Sequence, residues 1–299
     1  MSAGTLPEDV VHRGGRADQR WISTSRSRPP AAVAVIRTAI LSAGALLVAA
    51  PVAWAVLSSF KTPVELARRP PTILPDHFGP ENYLEALGAF DFAHYLLNSV
   101  TVTVAATLLT LVINSLAAFA LAKYNFRGRD ALFLLTLATI MIPLQVILLP
   151  VYQMVSALGL VNSLWGMIIP PAATPTGVFL LRQYMLTIPD EMIEAARIDG
   201  AGEFTIYRRI VLPLSRPALA VVTIFSVIWR WNDFIWPLIV AQSEKLYTIP
   251  VALARFNSEL VVPFNLVLAM SVLSMAPVVV MFLLLQRQIV TGIAQTGLR

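Results

Sequence analysis

Residues 194–213 read Glu-Ala-Ala-Arg-Ile-Asp-Gly-Ala-Gly-Glu-Phe-Thr-Ile-Tyr-Arg-Arg-Ile-Val-Leu-Pro, a polar island between two long apolar runs. The surroundings explain why the island matters. The chain is 57% hydrophobic and 13% charged, with a mean hydropathy of +0.72 over 299 residues. That is too apolar and too sparsely charged for a soluble domain of this size, so the chain belongs in a bilayer. A charged segment held between apolar runs is then a loop at a membrane surface.

Runs long enough to cross about 30 Å of hydrocarbon lie near 38–60, 97–122, 131–153, 163–184, 216–241 and 261–286. The expected fold is all-α: an integral membrane protein of six transmembrane helices with a cytoplasmic helix-turn-helix between the fourth and fifth. With the N-terminus inside, the tail and the even-numbered loops hold sixteen of the 22 cations, Arg127, Arg129, Arg208 and Arg209 among them. The outer loops hold Lys61, Arg68, Arg69, Lys245 and Arg255 beside seven acids. The positive-inside rule therefore puts both termini in the cytoplasm and the chain in the cytoplasmic (inner) membrane.

The expected organisation is a disordered cytoplasmic tail over 1–37, a membrane domain over 38–287 and a C-terminal cytoplasmic tail over 288–299. Within the domain, 61–96 is an external loop and 187–214 a cytoplasmic one. Pro63, Pro70, Pro71, Pro75 and Pro80 break the first half of the external loop, and a short helix fits around Asn82–Leu87. Such a loop serves either as a contact for an external partner or as a solvated connector. Small residues between Ala49 and Ala55 have cleavage-like spacing, but the long preceding segment and the apolar run of about 20 residues suit an anchor better than a signal peptide.

Several chemistries are disfavoured. There is no cysteine, and the three histidines are His12, His77 and His94, which leaves little for a metal site or a His-based triad. The cations form no basic and aromatic patch of the kind that binds nucleic acid. The three lysines follow Phe60, Ala122 and Glu244, so no Gly-Lys-Ser/Thr phosphate loop exists.

Within the island, Pro189 suits the first turn of a helix, and Asp190 and Glu191 sit where the helix dipole favours carboxylates. Met192, Ala195 and Ala196 share a face, and Gly200 supplies the left-handed residue that ends the helix. A second segment sets Phe204, Tyr207 and Val211 on one stripe with Arg208 and Arg209 exposed, and Pro213 leads into the next span. A helix-turn-helix wedged between two spans has little freedom to enter a DNA groove.

Glu-Ala-Ala, three residues, Gly, nine residues, Ile, one residue, Leu-Pro resembles the cytoplasmic EAA loop of permease subunits in binding-protein-dependent ABC importers. Phe78-Gly-Pro-Glu-Asn-Tyr83, Asn98-Ser99, Phe126-Arg-Gly-Arg129, Trp231-Asn-Asp-Phe-Ile-Trp-Pro237 and Gln286-Arg287 together are similar to the smaller permease subunit of carbohydrate importers, the maltose-transporter type. Gly292-Ile-Ala-Gln-Thr-Gly297 departs from that subunit's Gly-rich ending. The resemblance implies a transport subunit, not an enzyme, that moves a carbohydrate by alternating access. It implies a second permease, an ATPase dimer and an extracytoplasmic sugar-binding protein as partners, with ATP and Mg²⁺ held by the ATPase and no cofactor in this chain. It also implies that Glu194, Ala195, Ala196, Asp199, Gly200 and Pro213 couple the chain to the ATPase.

Polar residues inside spans are costly unless they face protein or water. Arg230 and Asp233, three apart, are expected to share a helix face, as an interfacial ion pair beside Trp229, Trp231 and Trp236 or as part of a transport path. Asn114, Gln145, Tyr152 and Asn232 complete the path set, with helix-to-helix hydrogen bonding as the other reading. Pro143 and Pro150, and Pro170, Pro171 and Pro175, should kink the third and fourth spans, which makes these spans the expected gate, with a purely architectural kink as the other reading. An ion-coupled secondary transporter is the rival, but it calls for ionisable groups near mid-bilayer, and only this pair is internal.

Overall fold

A computed structural model describes residues 31–89, 91–258 and 263–296. The helices are α1 (Ala31–Ser58), α2 (Pro63–Ala67), α3 (Glu81–Ala89), α4 (Phe92–Lys123), α5 (Arg129–Ile140), α6 (Leu144–Ala157), α7 (Leu164–Ile168) and α8 (Pro175–Met185). They continue with α9 (Asp190–Ile198), α10 (Glu203–Ile206), α11 (Leu212–Leu214), α12 (Arg216–Trp231), α13 (Ile235–Val240), α14 (Ile249–Ser258) and α15 (Phe264–Thr296). Two boundaries differ from expectation. Helix α1 starts at Ala31, so 31–37 is helical, not a disordered tail, and α15 carries the last span on to Thr296 through most of the expected C-terminal tail. The rest of the expected N-terminal tail lies outside the described residues.

Val35–Ser58, Phe92–Lys123 and Phe264–Leu283 are each long and apolar enough to cross a membrane. Three bent helix pairs pass the same test together, which gives up to six crossings if each pair is one span. Helices α5 and α6 meet at 106°, far more than a proline kink in one span. Pro143 stands just before α6 with extended backbone (ψ 135°) and no N–H to give, so the helix stops there and starts again in a new direction. Pro150, by contrast, is carried inside α6 without ending it. The fourth span is α7, a 3₁₀ turn over Pro170–Ala172, and α8, bent by 44°. The fifth expected span, 216–241, is interrupted: α12 ends at Trp231 and α13 resumes at Ile235.

The packing is organised around α4, which runs against α8 and α12, while α12 and α3 lie against α15. The contact of α4 with α8 is close. A Cβ on Gly177 would collide with the side-chain amide of Asn114. Buried Thr107 and Ser226 hydroxyls pair across α4 and α12 at 2.8 Å, a link between helices in a setting where lipid offers no hydrogen bond.

The segment between α1 and α4 is folded and tied to the helices. Asn82 of α3 donates to the carbonyls of Ser59 (2.7 Å) and Lys61 (2.9 Å), and accepts from Asn265 of α15 at 2.7 Å. Phe60 packs against Phe78 and Tyr83. Glu65 closes the loop: its carboxylate accepts from the backbone of Asp76 (2.6 Å) and Thr62 (2.7 Å), and from the Thr62 hydroxyl (2.8 Å). These donors, the Asp76 amide first, hold its pKa at about 2, down from the usual 4.5. A lowered folded-state pKa stabilises the loop above pH 4.5, and that stabilisation is lost as pH falls toward 2. Hydrogen exchange, corrected for intrinsic rate, is expected to show the Asp76 amide losing protection progressively across that window. In Glu65→Gln the same loss, about tenfold or more, is expected already at pH 7.

Candidate functional site

The polar island folds as two short helical pieces seated on the ends of the spans. Pro189 takes the cap position ahead of α9, one residue before the expected first turn, with φ −59° and ψ 134°. Asp190 and Glu191 occupy the first turn and Arg197 the last, each favourable to the helix dipole. Gly200 ends the helix at φ +79°, where the Gly200 amide donates to the Arg197 carbonyl at 3.0 Å and the Ala201 amide to Ala196 at 2.9 Å.

Helix α9 has an anchored side and an open side. Among the described residues it buries Ile193 alone, 2% exposed, in a core with Leu181, Met185 and Ile188 of the preceding span and Ile206, Tyr207 and Val211 of the second piece. Glu194, Ala195, Asp199 and Gly200 are exposed and Ile198 is 86% exposed, while Ala196 is half-buried against the core. The motif residues therefore do not pack this protein together, and most of them face outward.

The second piece departs from the expected stripe. Tyr207 and Val211 are buried, but Phe204 is 67% exposed and Ile206 takes the inward place. A π turn over Tyr207–Val211 is the reason. The Leu212 amide reaches back five residues to the Tyr207 carbonyl, which widens the turn and rotates the inward face. Pro213 lies in α11, half-buried, at the bend of 77° that leads into α12.

Five side chains knit the island to the C-terminal end of α4. Lys123, with its side chain 2% exposed, donates to Asp190 Oδ1 at 2.6 Å and to the Ile188 carbonyl, so it grips the start of α9. Tyr124 donates to Glu203, and Arg197 donates to both Glu203 oxygens at 2.8 and 3.2 Å. The Arg197 guanidinium and the Tyr124 hydroxyl hold the Glu203 carboxyl below its usual range; burial and the Glu203 carboxylate push Tyr124 up to about 12. Deeper in, Tyr207 and Ser115 share a buried hydrogen bond of 2.7 Å, and Phe119 packs on Tyr207.

The structure scatters the path set. Asn114 is fully buried and both ends of its amide engage Thr174: Nδ2 gives to Oγ1, and Oδ1 takes the Thr174 amide at 3.1 Å. This is a clamp across the break before α8. Gln145 is exposed in the first turn of α6. The Tyr152 hydroxyl accepts from Gln242 at 3.5 Å, and exposed Asn232 donates to the Ile228 carbonyl at 2.7 Å.

The expected helix-face pair does not form. Helix α12 ends at Trp231, so Asp233 lies past it and accepts from the Trp236 amide at 3.4 Å. Arg230 instead joins three elements, donating to Ser226 (3.0 Å), to Thr110 of α4 (2.6 Å) and to the Pro171 carbonyl in the 3₁₀ turn.

A family model described as "Binding-protein-dependent transport system inner membrane component" matches residues 113–295, more than half of the chain. The chain belongs to that family. This permease is 35% identical to the "Arabinooligosaccharides transport system permease protein AraQ" of Halalkalibacterium halodurans over 247 residues, 82% of this chain and 88% of that protein. It is also 35% identical to the "sn-glycerol-3-phosphate transport system permease protein UgpE" of Agrobacterium fabrum over 271 residues, 88% of this chain and 96% of that one. Its fold resembles a solved "bacterial ABC transporter involved in the import of the acidic polysaccharide alginate", with a TM-score of 0.78 over 87% of this chain and 98% of that chain at 24% identity. It is a transport subunit, not an enzyme, and a multi-pass membrane protein.

The residues that seat the permease's island were missed in the sequence for a concrete reason. Lys123 and Asp190 are 67 residues apart, and Arg197 and Glu203 are six apart across a turn, so no helix-spacing rule pairs them. The available signal was weak: a lone lysine closing a long apolar run, just where the following loop turns polar.

Proposed function

We propose that this permease imports a carbohydrate across the cytoplasmic membrane by alternating access, driven by a separate ATPase dimer that docks on α9. The carbohydrate class is supported by the transport systems named for its relatives. The observation that carries the mechanism is the two-sided build of α9. Its outer side offers Glu194, Ala195, Asp199, Gly200 and the bare Ile198 to a partner, while its inner side is fixed to α4, α8 and the second piece through Ile193 and Lys123. A force applied to the outer side therefore reaches the spans through buried packing and not through a slack loop. Ala195 has no bulk to hold a partner's surface off, and Ile198 provides apolar area for it to cover.

The cycle follows from this linkage. ATP and Mg²⁺ are held by the ATPase; closure of the motor draws α9, the spans open outward to receive sugar from an external binding protein, and hydrolysis returns them inward. A second permease forms the other half of the pathway, lipid surrounds the rest, and nucleic acid has no part. Both termini lie in the cytoplasm, on the side of Arg208 and Arg209. The breaks at Pro143 and before Pro175 are where the helices pivot. An ion-coupled secondary transporter is not favoured by any residue described above.

Mild-detergent purification of the tagged permease from its native membrane, with mass spectrometry of the companions, tests this reading. An ATPase and a second permease are the expected companions, and the ligand of a co-purified binding protein names the sugar. Isolation as a stable homo-oligomer under conditions that preserve such complexes overturns it.

A further inference from the structure

Arg230 sits near the end of α12, about 20 Å along the helix from Arg216 at 1.5 Å per residue, inside a span where a charge is expensive. Its partners are all neutral: the Ser226 and Thr110 hydroxyls and the Pro171 carbonyl. Among the described residues no carboxylate comes within ion-pair distance, and the buried Nε–H has no acceptor. The guanidinium is thus positioned and partly solvated by protein, with Asp233 beyond the end of α12 acting on it at longer range and not as an ion pair.

Arg230 also lines a largely apolar cleft of about 90 Å³ between α8 and α12. Thr176 and Ser226 stand on its wall, the Ser226 hydroxyl already bonded to Thr107 and Arg230, and Phe225 and Trp229, both largely exposed, give it an aromatic side. A cation beside hydroxyls and a flat apolar ring is the chemistry that receives a hydroxylated ring or chain bearing a negative group. A neutral solute would leave the guanidinium with no directly bonded anion; a carboxylate or phosphate would supply one through a charge-assisted hydrogen bond in a setting of low dielectric.

The geometry points to this cleft as a solute subsite for an anionic group, the carboxylate of an acidic sugar or the phosphate of a phosphorylated polyol, with Arg230 as its charge partner. The assignment rests on the carbohydrate-importer reading and narrows it to acidic solutes. Arg230 then has two duties. It holds α4, the 3₁₀ turn and α12 together when the cleft is empty, and it turns part of its donor set to the solute when the cleft is filled.

The test uses the complete importer as it co-purifies, reconstituted in lipid nanodiscs, with tryptophan fluorescence as the readout because Trp229 lines the cleft. The probes are galacturonate and sn-glycerol-3-phosphate, each against its neutral counterpart, galactose and glycerol. At least one anionic probe is expected to bind about tenfold or more tightly than its counterpart, and which one does so identifies carboxylate or phosphate. The preference should vanish in Arg230→Gln and largely survive in Arg230→Lys.

Because Arg230 also clamps three elements, Arg230→Gln risks misfolding. Thr176→Asp sets a competing carboxylate on the cleft wall without removing any clamp partner and is likewise expected to erase the preference. Equal binding of charged and neutral probes, or an anionic preference unchanged in both Arg230→Gln and Thr176→Asp, overturns the subsite while leaving the carbohydrate importer in place. Binding of none of the four probes by an importer that contains its ATPase and second permease overturns the subsite and the sugar assignment together.

Discussion

An importer carrying Gly200→Pro is expected to insert, assemble and hydrolyse ATP, yet to move no solute above background. Gly200 sits at φ +79°, and proline is locked near about −65°, so the residue cannot be accommodated without rebuilding the turn. Proline also removes the amide that donates to the Arg197 carbonyl at 3.0 Å, and the neighbouring closure from Ala201 to Ala196 depends on the same turn. The end of α9 unwinds and Arg197 loses its alignment with Glu203, so the outer face of α9 no longer moves as one piece with the spans. Nothing lies within 4 Å of a Cβ at this position, so backbone conformation and not crowding is the cause. The series is therefore graded. Asparagine, which visits the left-handed region at low cost, should retain most uptake; alanine, at about 1–2 kcal/mol of strain, should retain part. Proteoliposomes in which ATP hydrolysis and uptake are measured together decide the matter: normal coupling in Gly200→Pro sinks the lever.

The sequence carries the place of the apolar helices because burial in lipid imposes long apolar runs, which composition cannot disguise. It carries the left-handed Gly200 and the start of α9 for a similar reason, since proline, acidic residues and glycine each act locally. The angle at Pro143 was not legible. A proline marks where a helix loses a donor, but whether the result is a mild kink or a turn of 106° is set by what packs on each half. The Arg230–Asp233 pair failed differently. Residues three apart face together only if the helix contains both, and α12 stops at Trp231. Asn114 shows the ambiguity of any polar residue in a span, because the sequence alone cannot tell an amide that faces a path from one that clamps Thr174. The π turn at Tyr207 is a compromise between two packed faces and has no local signature, which is why Phe204 stood in for Ile206 in the expected stripe.

Ile193→Asp should unseat the island altogether, with loss of uptake and of ATPase association. Ile193 is the apolar plug by which α9 sits on the membrane domain, 2% exposed among Leu181, Met185, Ile188, Ile206 and Val211. An ionised carboxylate there is set among apolar side chains, and its desolvation costs several kcal/mol, so the helix lifts off and takes the side chain to water. Lys123, its side chain buried, still holds Asp190 at the start of α9, but that pair, with Asp190 76% exposed, does not replace the apolar plug. Ile193→Val, which keeps the plug short by one methylene, is expected to cost about 0.5–1.5 kcal/mol and leave transport nearly intact. Protease sensitivity between 190 and 211 in membranes reads the unseating directly, and pull-down of the ATPase reads its consequence. Rapid cleavage with lost association is the expected outcome for Ile193→Asp. Association that persists while the segment is cleaved would mean that the partner grips the outer face without needing a rigid seat, and the transmission of force would then have to run through Tyr124, Glu203 and the second piece instead of through α9.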